Sequence, residues 1–168
     1  MMDEQKISKA QPDYLRFQEA KLLYEKFVDS CAPPHDSYFD MITYFDAFLF
    51  LYVSVEEMID EQKKNRLNDL SVFKFLKAAR NVTTHHSILA APNQTDEFKR
   101  PFSRIINDGN TGIASARLRV RIGKFREIFA LAAQRFPKGK KTFLASEEYL
   151  EHIEAAGSDV FVETVMLE

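Results

Sequence analysis

The chain is poor in cysteine, glycine and proline. Its single cysteine, Cys31, excludes an internal disulfide and any zinc cluster built on cysteine. Five glycines and six prolines in 168 residues exclude collagen-like and loop-dominated folds. Long apolar runs are missing too: the longest, Ala47 to Val53, is far short of a membrane span. The opening residues, MMDEQKISKAQPDY, carry charge and no apolar segment, so no secretory signal is expected. The Asn81-Val82-Thr83 and Asn93-Gln94-Thr95 sequons are then chance matches. There is no glycine-rich phosphate loop, no G-x-S-x-G and no His-Glu-x-x-His. The four histidines are His35, His85, His86 and His152. Neighbours on a helix point about 100° apart, so His85 and His86 do not chelate one metal well. No metal and no cofactor is expected.

What remains is ordinary soluble-protein composition, 45% hydrophobic and 29% charged, at the size of one domain. The expectation is a single cytoplasmic domain over 1–168, an all-α helical bundle of about five helices. A first helix fits 12–30, with Pro12 at its first position and Ala32-Pro33-Pro34 after it. A second fits 37–65, opened by Ser37 and Asp40 in a capping-box arrangement. Phe45, Phe48, Leu49, Leu51, Tyr52 and Val55 leave it almost no polar face, so a subunit interface would help to cover it. A third helix, capped by Asn68 or Asp69, fits 69–90. Residues 92–112 read as loop-rich, with a short helix fitting 97–107 and a turn signal at Asn107-Asp108-Gly109-Asn110. A fourth helix fits 112–136, where Leu118, Ile122, Phe125, Phe129, Ala132 and Phe136 step by three and four. Ser146 can cap a last helix ending near Gly157, and Val160 to Leu167 suits a strand or an extended arm.

The near-neutral total hides a charge split. Residues 99–141 carry 12 Lys/Arg against 2 Asp/Glu, whereas residues 142–168 carry 7 Asp/Glu and no Lys/Arg. A basic block of this density suits a polyanion. It equally suits the acidic tail of its own chain, from about 142 onward. On the fourth helix Arg117, Arg121 and Lys124 would share one face, with Arg119 and Arg126 beside them, as an RNA footprint.

The most informative stretch is 73–91, FKFLKAARNVTTHHSILAA. A helical apolar pattern runs into Arg80-Asn81, and His85 follows Arg80 after four intervening residues. Arg suits bidentate contact with phosphate oxygens. His is the side chain whose ordinary pKa lies nearest neutrality, which suits acid/base work. Asn81 can orient either by hydrogen bonds. Five steps of 100° nevertheless put Arg80 and His85 about 140° apart on an ideal helix. Either the β-branched run Val82-Thr83-Thr84 loosens the helix, or two copies of the motif converge across a two-fold axis. His86 reads as a supporting or core histidine, and Glu57 as a group that could hold Arg80 or orient His85.

Arg80-Asn81 with His85, in an all-helical chain with a long second helix, resembles the HEPN superfamily, the higher eukaryotes and prokaryotes nucleotide-binding domain. The resemblance implies a helical bundle that dimerises through its motif-bearing helices. Active members are metal-independent endoribonucleases of toxin, antiphage or RNA-processing systems, leaving 2′,3′-cyclic phosphate ends. It therefore implies a homodimer, an RNA substrate, an antitoxin or regulatory partner and no membrane. Inactive members are nucleotide- or RNA-binding or scaffold modules, and that is the alternative reading. A third reading is an unrelated helical scaffold with a buried His pair. Some members carry a tyrosine two residues after the histidine, modified by a partner nucleotidyltransferase. Ser87 stands there in this chain and speaks against that partnership.

Overall fold

The structure, a computed structural model, describes residues 11–31, 37–85, 102–106, 114–156 and 159–162. Helix α1, Pro12–Ser30, has the expected bounds, with Pro12 in its first turn, where its missing N–H costs nothing. Cys31 follows it as a buried small hydrophobe, its Sγ 3.2 Å from the Phe27 carbonyl. Helix α2 spans Tyr38–Ser54, and the Ser37 hydroxyl caps it by accepting from the Asp40 N–H at 3.3 Å. The two helices pack extensively through an aromatic seam. Its pairs are Tyr24 with Phe48 (5.3 Å between ring centroids) and Phe27 with Phe45 (5.2 Å).

The single helix expected over 37–65 is two. Helix α2 ends at Ser54, whose hydroxyl turns back to the Leu51 carbonyl at 2.7 Å. A 3₁₀ turn, Val55–Glu57, follows. Asp60 then starts a new helix, α3 (Glu61–Asp69), by accepting the Lys63 N–H at 2.9 Å. A good N-cap in the middle of a helical pattern offers the chain a second start, and here it prevails.

Helix α4, Ser71–His85, begins two residues later than expected. It buries Phe73, Phe75, Leu76, Ala78, Ala79 and Val82. The C-terminal helices are α5 (Ile122–Arg135), α6 (Lys140–Ala145) and α7 (Glu147–Ala156). A 3₁₀ turn, Pro137–Gly139, joins α5 to α6. Helix α4 touches all of them as well as α2 and α3, so the motif-bearing helix lies at the centre of the bundle. Phe75 is the keystone, with ring contacts to Phe125, Phe129 and Tyr149.

The helical bundle expected from the sequence is thus the architecture, with seven α-helices among the described residues. A small antiparallel sheet is added to it: β1 (Phe102–Ile106), β2 (Ala114–Arg121) and β3 (Asp159–Val162), in the order β1-β2-β3. This corrects two local expectations. Residues 102–106 are a strand, not part of a short helix. The helix expected over 112–136 is helical only from Ile122, and its first part is β2. Ser-Ala-Arg-Leu-Arg-Val-Arg alternates with a period of two, and the turn signal at 107–110 separates it from β1 as in a hairpin. Ser146 does not cap α7 with its side chain. Its hydroxyl donates to the Phe143 carbonyl at 2.6 Å.

Candidate functional site

Arg80 and Asn81 sit in the last turns of α4. The backbone stays helical through Val82, Thr83 and Thr84 to His85. The two threonine hydroxyls donate to the Arg80 carbonyl, at 2.9 and 2.8 Å, a back-bonding that helices accommodate. The β-branched run therefore does not open the helix. Arg80 and His85 of one chain stay about 140° apart. The side chain of His85 and the whole of His86 lie outside the described residues.

Arg80 is half-buried, and its Nε is fully buried with no hydrogen-bond partner among the described residues. Buried donors are nearly always satisfied, so an orphan guanidinium nitrogen calls for an explanation. Asn81, beside it, forms one wall of an open pocket of about 390 Å³. The other wall is Phe136, Lys138, Gly139, Thr142 and Phe143. At Gly139 a Cβ would lie 3.1 Å from the Phe143 ring, so glycine lets the turn approach that ring. The pocket thus joins a motif residue to the end of the basic block, where Lys138, Lys140 and Lys141 cluster.

The acidic residue turned inward near α4 is Glu56, not Glu57. Glu57 is exposed, whereas Glu56 is buried and receives Lys77 Nζ at 2.8 Å and Asn68 Nδ2 at 2.6 Å. Lys77 also donates to the Asn68 side-chain oxygen at 3.1 Å. Burial pushes the Glu56 carboxyl up, but the hydrogen bonds from Lys77 and Asn68 and the charges of Lys77 and Lys64 outweigh it. The carboxyl ends below its ordinary range. This network ties the 3₁₀ turn and α3 to α4 one turn before Arg80. No sequence pattern distinguishes Glu56 from Glu57, because the turn's geometry decides which one faces inward.

The basic residues are arranged differently from the helical face expected of them. Arg117, Arg119 and Arg121 lie on β2, whereas Lys124 and Arg126 lie on a helix, α5, where Lys124 pairs with Glu127 at 3.0 Å. Residues of a strand alternate between faces, so the helical spacing that grouped Arg117 and Arg121 with Lys124 does not hold. In register, Arg117 stands opposite Ser103 on one side and Phe161 on the other, and Arg121 opposite Asp159. Arg126 is clamped by two carboxylates of α7: Nε to Glu147 at 2.6 Å and Nη2 to Glu154 at 2.8 Å. The hydrogen bonds that Arg126 donates to Glu154 and Glu147 raise the guanidinium's pKa further, and Arg126 lowers that of Glu154.

Among the described residues no cluster of three His, Cys, Asp or Glu side chains could hold a metal ion. Among them, too, no helix is long and apolar enough to cross a membrane. No family model, no curated protein and no solved structure matches the chain.

Proposed function

We propose that the protein is a metal-independent endoribonuclease of the HEPN type, acting as a homodimer. The observation that carries this reading is the state of the motif. Arg80 Nε is buried with no partner among the described residues, and the next residue, Asn81, lines an open pocket shared with a lysine-rich turn. A guanidinium left without a protein acceptor is ready for a phosphate oxygen.

In the proposed reaction His85 takes the proton from a ribose 2′-hydroxyl, whose oxygen attacks the adjacent phosphorus. Arg80 neutralises the charge that gathers on the phosphorane, and Asn81 orients the phosphate. The bond from phosphorus to the 5′-oxygen breaks, and that oxygen leaves with a proton. The products are a 2′,3′-cyclic phosphate and a 5′-hydroxyl. With the helix continuous, the Arg80 and His85 that work together come from different subunits.

The homodimer draws support from α2. Phe39, Asp46 and Phe50 repeat at seven and four residues and so share one face of that helix. Phe39 is 76% and Phe50 52% exposed, two large apolar side chains left outside the core on one face. Asp46 Oδ1, between them, is buried without a partner among the described residues. The two orphan polar atoms, Asp46 Oδ1 and Arg80 Nε, thus lie on α2 and α4, the pair of helices a second copy would cover.

The test is cleavage of single-stranded RNA in EDTA. Activity is expected to persist. General acid/base help is worth ~10²–10⁴-fold and one aimed charge donor ~10²–10³-fold. His85→Ala and Arg80→Ala should each therefore nearly abolish cleavage with the fold intact. His86→Ala should cost less, and DNA should not be cut. A parent stopped by EDTA, or a His85→Ala variant as fast as the parent, refutes the mechanism. A parent that binds nucleotides through Arg80 yet cuts nothing is instead the non-catalytic module.

A further inference from the structure

The acidic C-terminal block is not a free appendage. Among the described residues its helix α7 makes three ion pairs, all to cations outside the block. Two are the clamp on Arg126, and the third joins Glu148 to Lys74 at 3.1 Å. Its strand β3 lies antiparallel along β2, which carries three of the basic block's arginines, with the backbone of Asp159 opposite that of Arg121. Among the described residues, a segment with five acidic and no basic side chains thus packs on one with ten basic side chains and one acidic.

Helix α7 itself is anchored, with Leu150 and Ile153 buried in the core and Tyr149 packed on Phe75, but the outer contacts of the block are weak. Strand β3 has four residues, and its register with β2 slips between Leu118 and Arg121. The clamp on Arg126 is solvent-accessible, with the three side chains 33%, 43% and 56% exposed. Exposed ion pairs contribute little and are screened by salt. Elements held by a short ladder and surface charges open well below the global unfolding free energy.

We propose that the acidic C-terminal block is a built-in competitor for the basic block: strand β3 and the Glu147 and Glu154 carboxylates occupy the surface that a single-stranded RNA uses, and RNA binds by displacing them while α7 stays docked. The carboxylates of Glu147 and Glu154 occupy Arg126 as two phosphates would. The inference rests on the RNA reading above and adds to it a gate, which sets affinity without touching the Arg80 motif.

The probe is a labelled oligouridylate, and the readout is fluorescence anisotropy over a salt series on full-length protein. The variant Glu147→Gln/Glu154→Gln/Asp159→Asn removes three competing charges and keeps the side-chain volumes. Its control, Glu25→Gln/Glu61→Gln/Asp69→Asn, makes the same change in net charge on α1 and α3, outside the acidic C-terminal block. The first variant should bind roughly tenfold more tightly at low salt, the control much less so, with the gap closing as salt rises. Equal gains in both mean that net charge alone acts, and the gate is refuted while RNA binding stands. If neither parent nor variants bind, the gate and the RNA footprint fall together. Hydrogen exchange on the unmodified parent needs no variant. Amides of 159–162 should exchange faster when oligouridylate is bound, and unchanged or greater protection overturns the proposal.

Discussion

Asp46 shows how much one residue can weigh. Burial, with no compensating hydrogen bond among the described residues, raises its carboxyl to about 6. Between the ordinary carboxyl value, near 4, and that figure, the folded chain holds a proton that the unfolded chain has lost. Stability therefore falls as pH rises through this window, and the whole penalty is present above it. Asp46→Asn, which has no charge to desolvate, should stabilise the protein at pH 7–8 by roughly 2 kcal/mol. The gain should vanish below about pH 4, where both side chains are neutral. Thermal melts of parent and variant across pH check this, and a gain that persists in acid would point to packing rather than charge. Arg80 poses the opposite case: its orphan nitrogen is at the motif, so stability gained by removing it should come with lost cleavage.

At the scale of elements, the short α3 and the 3₁₀ turn depend on the Glu56–Lys77–Asn68 network to dock on α4. Lys77→Ala leaves the buried Glu56 carboxylate with Asn68 alone and should cost roughly 2–3 kcal/mol in denaturant melts. Glu56→Gln keeps an acceptor for both donors and should cost less, about 1 kcal/mol. Because Glu56 titrates below its ordinary range, its contribution is complete above the unfolded carboxyl value and is lost as pH falls through the folded one. Acidification below about pH 4 should thus destabilise the parent more than Glu56→Gln. A parent and variant that lose stability in parallel would remove Glu56 from the account.

For the whole molecule the question is what covers α2. Six of its side chains, Met41, Phe45, Phe48, Leu49, Tyr52 and Val53, are buried within one chain, so its apolar surface is not all surplus. Phe39 and Phe50 remain outside. A Phe50→Glu variant should leave the melting temperature of the single chain nearly unchanged, because an exposed side chain contributes little to its fold. Light scattering should show the parent at twice the chain mass and the variant at the chain mass. If Arg80 and His85 act across the interface, RNA cleavage should fall with dimerisation, and mixing Arg80→Ala with His85→Ala should restore part of it. A parent that stays monomeric at high concentration removes the composite site.

Several features were legible in the sequence because their causes are local. Pro12 and the prolines after Cys31 bracket α1, Ser37 caps α2, and the step of three and four from Ile122 through Phe125 and Phe129 buries one face of α5. Proline geometry, a capping hydroxyl and helical periodicity each act within a few residues. Asn81 was legible as a functional candidate from its place after Arg80, but its pocket was not, since the other wall comes from 136–143. Residues 114–121 became a strand because nearby β1 and remote β3 supply its ladder, and that pairing overrides the helical spacing that Leu118 and Ile122 suggest. Glu56 rather than Glu57 turned inward because α4 presents Lys77 on that side. The charge split was plain in the sequence. That Arg126 answers Glu147 and Glu154 was decided only by the tertiary structure, because an ion pair needs approach within a few ångströms and only packing brings α7 against α5.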